Sequence, residues 1–80
     1  MTRPQIQAAV AELLSITVKR KIGPADAVTR DSEATWDSLK HVELIFMLED
    51  HFGVQFSEEE MADLRNSDQI VRTIEEKCAA

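Results

Sequence analysis

One cysteine, two glycines and two prolines are all that this 80-residue chain offers of the residues that staple or interrupt a fold. With Cys78 alone, no intramolecular disulfide framework is available, and its place on a C-terminal helical pattern reads as a small apolar residue rather than a nucleophile. No apolar run approaches the roughly 20 residues that a membrane-spanning helix needs, and no long apolar segment with a cleavage site opens the chain, so a cytoplasmic protein is the expectation. Clustered basic charge is missing too. Nine Lys and Arg face fifteen Asp and Glu, for a net charge of −6. Residues 1–30 carry +3 and residues 31–80 carry −9. Replacing phosphate counterions needs clustered Lys and Arg, so the acidic half argues against nucleic acid and anionic membranes and towards basic protein partners. His41, His51 and Cys78 lack zinc-site spacing and no acidic loop has EF-hand spacing, so no metal is expected.

Eighty residues make one small domain, expected to span 1–80, at the size where a single core only just suffices and a large catalytic cleft does not fit. Sustained period-two alternation, internal repeats and long linkers are absent, whereas four segments show helical patterning. The expected fold is therefore all-α, a small four-helix bundle with a long loop between helices 1 and 2 and a short third helix. The first helix is expected over about residues 3–20: Thr2 and Gln5 have capping-box spacing, Pro4 suits the first turn, and Ile6, Val10, Leu13 and Leu14 form a stripe. Lys19, Arg20 and Lys21 suit its C-terminal end. Residues 22–36, with Gly23, Pro24, Asp26, Asp31 and Ser32, read as a loop anchored by Val28. The second helix is expected from Ser38 to about His51, capped by Asp37 and stopped by Gly53. Val54 and Phe56 read as loop anchors. Ser57 and Glu60 open a third helix to about Arg65, and Asn66 or Ser67 caps a fourth carrying Ile70, Val71, Ile74 and Cys78.

At 100° per residue from Leu39, Leu44, Leu48, Phe52 and Ile45 fall between about 140° and 240°, one inward stripe, while Glu43, Asp50 and Phe46 fall close to Leu39 on the other side. Two readings of Leu39 and Phe46 stay open. They bury against the long loop with the acids merely solvated, or they anchor a docking face on which Glu43, Glu49 and Asp50 steer basic partners. Ser38 stands where a polar loop gives way to this helix. A first turn has free N–H groups and a positive dipole end that favour an anion, which makes the Ser38 hydroxyl a candidate for covalent modification with a phosphate-bearing group.

Asp37-Ser38-Leu39, then Val42-Glu43-Leu44 and Leu48-Glu49-Asp50-His51-Phe52-Gly53, resemble the acyl carrier protein family, and the acidic Phe56-Ser57-Glu58-Glu59-Glu60 stretch extends the similarity over essentially the whole chain. The resemblance implies a free-standing, monomeric carrier without catalysis of its own. A phosphopantetheinyl transferase would attach 4′-phosphopantetheine from coenzyme A to Ser38, with Asp37 and Leu39 recognised by the transferase. Acyl or aminoacyl groups would ride as thioesters on the arm's thiol, loaded by a ligase and passed to enzymes with basic docking surfaces in fatty acid or specialised metabolite biosynthesis. Glu43, Phe46, Glu49 and Asp50 would form the partner-docking helix, whose inner stripe would line a space sheltering a short acyl chain. The resemblance departs at Thr35-Trp36, where fatty acid carriers commonly have a glycine two places before the modified serine. A tryptophan there is similar to carriers of specialised pathways, although its area equally suits burial against the first helix.

Two rival classes are weighed. Asp37, Ser38 and His41 have the residue types of a nucleophilic triad but share the first turn of one helix, with no separate oxyanion hole. His41 is expected instead at the surface beside Ser38. An unmodified interaction protein with a carrier fold is the other alternative, against which stands a hydroxyl placed just after the helix cap.

Overall fold

A computed structural model describes residues 2–24, 26 and 28–78. Four helices follow in order, α1 Arg3–Val18, α2 Ser38–Phe52, α3 Glu58–Asp63 and α4 Ser67–Cys78, with no strand among the described residues. The all-α expectation holds. Of the expected loop at 22–36, positions 25 and 27 lie outside the described residues.

Each helix starts where its side chains satisfy the orphan amides of a first turn. Thr2 Oγ1 accepts from Gln5 N at 3.4 Å while Gln5 Oε1 accepts from Thr2 N at 2.9 Å, and Ser57 and Glu60 repeat this reciprocal box at 3.1 and 2.9 Å. The Asp37 carboxylate accepts from Lys40 N at 2.9 Å. At α4 the cap is Asn66, whose Oδ1 accepts from Gln69 N at 2.8 Å. Ser67 is already helical, and its hydroxyl instead donates to Asp26 O and accepts from Val28 N. Gly53 ends α2 at φ 65°, a left-handed conformation natural to glycine, and its N–H returns to Glu49 O at 2.9 Å.

Helix α1 stops at Val18, short of the expected residue 20, because Lys19 turns into the left-handed region at φ 58°. That reversal lets Ile22 bury, its N–H donating to Ser15 Oγ at 2.9 Å. Helix α3 ends at Asp63 rather than Arg65, with Leu64 leaving the helical path to enter the core. The core joins Ile6, Val10, Leu14 and Val18 of α1 to Leu44, Ile45 and Leu48 of α2 and Ile70, Val71 and Ile74 of α4, sealed by Val28, Trp36, Phe56 and Leu64 from the connections. Leu13 is half-buried, packing at the edge of this core rather than in it, and Cys78 is exposed rather than the apolar contact its spacing suggested. The helical repeat continues through Cys78 after the core it served has ended.

The long loop is tied down by a bridge between Thr29 and Asn66. Arg30 N donates to Arg65 O and Ser67 N to Val28 O, both at 2.9 Å, so the loop closes on the α3–α4 junction. Arg3 reaches from α1 to Asp68 and Glu75 of α4 at 3.3 and 3.0 Å.

Candidate functional site

The site is organised by the start of α2. Asp37 is extended at φ −90°, ψ −174°, its carboxylate takes Lys40 N–H and its carbonyl accepts from His41 N at 2.9 Å, which fixes the helix's first turn. Ser38 is the first helical residue and is exposed. The cap's own carboxylate partly offsets the dipole end that would draw an anion, since Lys40 N–H is already engaged.

The chain has five serines. Ser15 holds the Ile22 turn, Ser32 pairs with Thr29, Ser57 caps α3, and Ser67 bonds to Val28 and Asp26. Among the described residues Ser38 alone keeps its hydroxyl outside such a network. That hydroxyl, at a rigid helix start and open to solvent, fits attachment of a phosphodiester-linked group because nothing must break to free it.

Around Ser38, Leu39 is 67% exposed, Phe46 63% and Val42 40%. The burial reading for Leu39 and Phe46 is thereby excluded, and Val42, at i+3 from Leu39 and i−4 from Phe46, joins them. Sequence reasoning passed over Val42, although its angle of about 300° on the same wheel places it beside Phe46. Asp50 is exposed on this side, and Glu43 lies 3.6 Å from Lys40. Glu49 behaves differently. Its Oε2 accepts from Phe56 N at 2.9 Å, turning the carboxylate towards the α2–α3 connection.

Trp36 and His41 resolve the two remaining questions. Trp36 is 2% exposed and therefore a core residue. His41 is 6% exposed, which corrects the expectation of a surface histidine. Its Nδ1 accepts from Trp36 Nε1 at 3.0 Å, so in the neutral ring Nε2 carries the proton and donates to Met61 O of α3 at 2.6 Å. Burial pushes the imidazole's pKa below its ordinary 6.5 and nearby Arg30 adds to this, against the opposing effect of the Met61 carbonyl. The signal was available in the sequence: His41 falls at about 200° on the α2 wheel, within the inward stripe. That stripe faces the core, with Leu44 and Leu48 0% exposed and Ile45 1%.

A four-helix bundle, an uncommitted serine hydroxyl at the capped start of α2 and an exposed apolar stripe beside it are what set this region of the molecule apart. The family described as "Phosphopantetheine attachment site" matches residues 4–74. An acyl carrier protein of Thermosynechococcus vestitus is 37% identical over 76 residues, covering 95% of this chain and 90% of that protein. No solved structure gives a significant match. The chain belongs to the acyl carrier protein family. It is accordingly a carrier rather than an enzyme, with covalent 4′-phosphopantetheine as its prosthetic group, and it works with a phosphopantetheinyl transferase and the enzymes of a pathway. Among the described residues no helix is long and apolar enough to cross a membrane.

Proposed function

We propose that Ser38 is the attachment residue and that the chain, acting as one carrier unit over residues 1–80, presents acyl groups as thioesters to partner enzymes of a biosynthetic pathway. The single observation that carries this reading is the uncommitted, exposed hydroxyl of Ser38 among five serines, at the first residue of α2. In the attachment, Ser38 Oγ bonds to the phosphorus of the pantetheine-bearing phosphate of coenzyme A and the phosphoanhydride bond breaks. Adenosine 3′,5′-bisphosphate leaves, and the hydroxyl proton passes to a base on the transferase. When bound, the prosthetic group supplies a terminal thiol at the end of a long arm, which keeps cargo activated and raises its effective concentration at each partner.

Leu39, Val42 and Phe46 serve as the apolar anchors of the docking face, with Glu43 and Asp50 steering basic partners. Asp37 contributes to transferase recognition through the helix start that it caps, and Leu39 through direct contact. Glu49 belongs to the same helix, but its bond to Phe56 N supports a part in shaping the α2–α3 turn more than direct contact. The carrier works as a monomer in the cytoplasm, where coenzyme A is supplied. An aminoacyl cargo loaded by a dedicated ligase uses the same arm and the same face.

The test is the intact mass of protein coexpressed with a promiscuous transferase, with fragmentation to place the added group. Addition of one phosphopantetheinyl group at Ser38, lost in Ser38→Ala, is the expected result. An unmodified Ser38 under conditions that convert a control carrier, or an adduct retained in the variant, refutes the assignment.

A further inference from the structure

Helix α3 is the least secured element of the bundle. It has six residues and buries none of them fully. Met61 packs against the core edge, Leu64 anchors the exit, and Lys77 reaches Glu60 at 2.8 Å. The remaining tie comes from His41. Met61 O accepts from Leu64 N at 3.4 Å where α3 ends, and the imidazole Nε2 donates to the same carbonyl at 2.6 Å. The other side of the same ring is braced by Trp36 Nε1 at 3.0 Å. A single buried histidine thus joins the residue before the attachment motif, the first turn of α2 and α3 in one chain of hydrogen bonds.

Its position matters because His41 follows Ser38 by three residues, less than one helical turn. Cargo folding back from Ser38 into the core would separate α3 from α2 at low packing cost, since α3 contributes no fully buried side chain. A cavity of about 170 Å³ lies elsewhere, lined by Val10, Leu14, Ile22 and Val71, and one of about 240 Å³ lies between α3 and α4, lined by Glu60, Asp63, Leu64 and Arg72; neither is lined by α2. Opening the α2–α3 side breaks the His41–Met61 bond and leaves a buried donor on the imidazole unpaired.

Resting on the reading of Ser38 as the attachment residue, we propose that His41 is a specificity-determining bolt: braced by Trp36, it holds α3 against α2, so that thioester cargo stays in solvent and the carrier is suited to short or polar acyl groups rather than long alkyl chains. Removing the bolt converts the protein into one that shelters an alkyl chain.

The experiment attaches acetyl- and octanoyl-phosphopantetheine from the corresponding coenzyme A thioesters with a promiscuous transferase, confirms each adduct at Ser38 by mass, and measures thioester cleavage by hydroxylamine. Unmodified sequence should lose both cargoes at matched rates. His41→Ala should release octanoate several-fold more slowly than acetate, and Trp36→Phe, which deletes the indole N–H while keeping an aromatic core residue, should shift in the same direction by less. A purely structural histidine would not separate the two chain lengths. Should His41→Ala fail to fold by circular dichroism, Trp36→Phe carries the comparison. Octanoyl protection already present in the unmodified sequence, or no chain-length difference in a folded variant, overturns the bolt while leaving Ser38 in place. Absence of any adduct at Ser38 overturns both.

Discussion

Helices α2 and α3 begin with the same device and are held by different forces. Both have an acidic or hydroxyl cap bonded to the third helical amide, Asp37 to Lys40 N and Ser57 to Glu60 N. From there α2 buries His41, Leu44, Ile45 and Leu48, whereas α3 buries no residue fully. Burial of apolar area stabilises α2 along its length, while α3 depends on its cap, on Leu64 just beyond it, and on side-chain ties from α2 and α4. The comparison teaches that attachment geometry and conditional packing are assigned to adjacent elements: the helix bearing Ser38 is packed along its length, and its neighbour is held by a few contacts.

Leu48→Ala attacks the packed side and should have the largest effect, about 2–5 kcal/mol from lost transfer energy and the cavity left behind. Urea unfolding is expected to show the whole domain losing stability, α3 and α2 together. His41→Ala attacks the conditional side at about 1–3 kcal/mol, since it leaves the Trp36 N–H without its buried acceptor. Hydrogen exchange should then rise first in α3, with α1 and α4 keeping their protection. Equal rises in all four helices would erase the distinction between the two regions.

Lowering the pH probes the same ring without mutation. Burial depresses the folded-state pKa of His41 below its unfolded 6.5, so the unfolded chain binds the extra proton first. The contribution is present above about pH 6.5 and is lost as pH falls through the lower folded value, because a protonated Nδ1 can no longer accept from Trp36. Denaturant titrations across this range should show a slope that His41→Ala flattens. Glu33 and Glu60 act further down. Thr35, then Arg20, lowers the pKa of the first, and Lys77, then Ser57, that of the second, so their stabilisation is present above 4.5 and is lost as pH falls through the depressed folded values.

Smaller effects sharpen the boundary between the helices. Glu49→Ala should cost about 0.5–1.5 kcal/mol by freeing Phe56 N–H, read as a lower melting temperature. Charge reversal at Glu43 or Asp50 should instead weaken transferase loading and reduce its salt dependence with little change in melting. If Glu49→Ala altered loading and left melting untouched, the carboxylate would belong to the docking face after all. Ser38→Ala should change stability by no more than about 0.5 kcal/mol, since an exposed first-turn serine packs against little.

Features closed within one helical turn were legible without coordinates. The Thr2–Gln5 and Ser57–Glu60 boxes, the Asp37 cap, the Gly53 stop and the inward run of Leu44, Ile45 and Leu48 need only neighbours three or four residues away and a fixed helical repeat. Ser38 at the head of α2 followed from the same local logic. Only tertiary structure turned Trp36 and His41 into a buried pair reaching Met61, gave Glu49 the Phe56 amide, closed Thr29 on Asn66, and ended α1 early so that Ile22 could bury. The physical reason is one of partners. A cap finds its donor on the adjacent turn of its own helix, but a polar side chain on an inward stripe is acceptable only if the fold brings it both a donor and an acceptor, and those come from segments that meet after the core has closed.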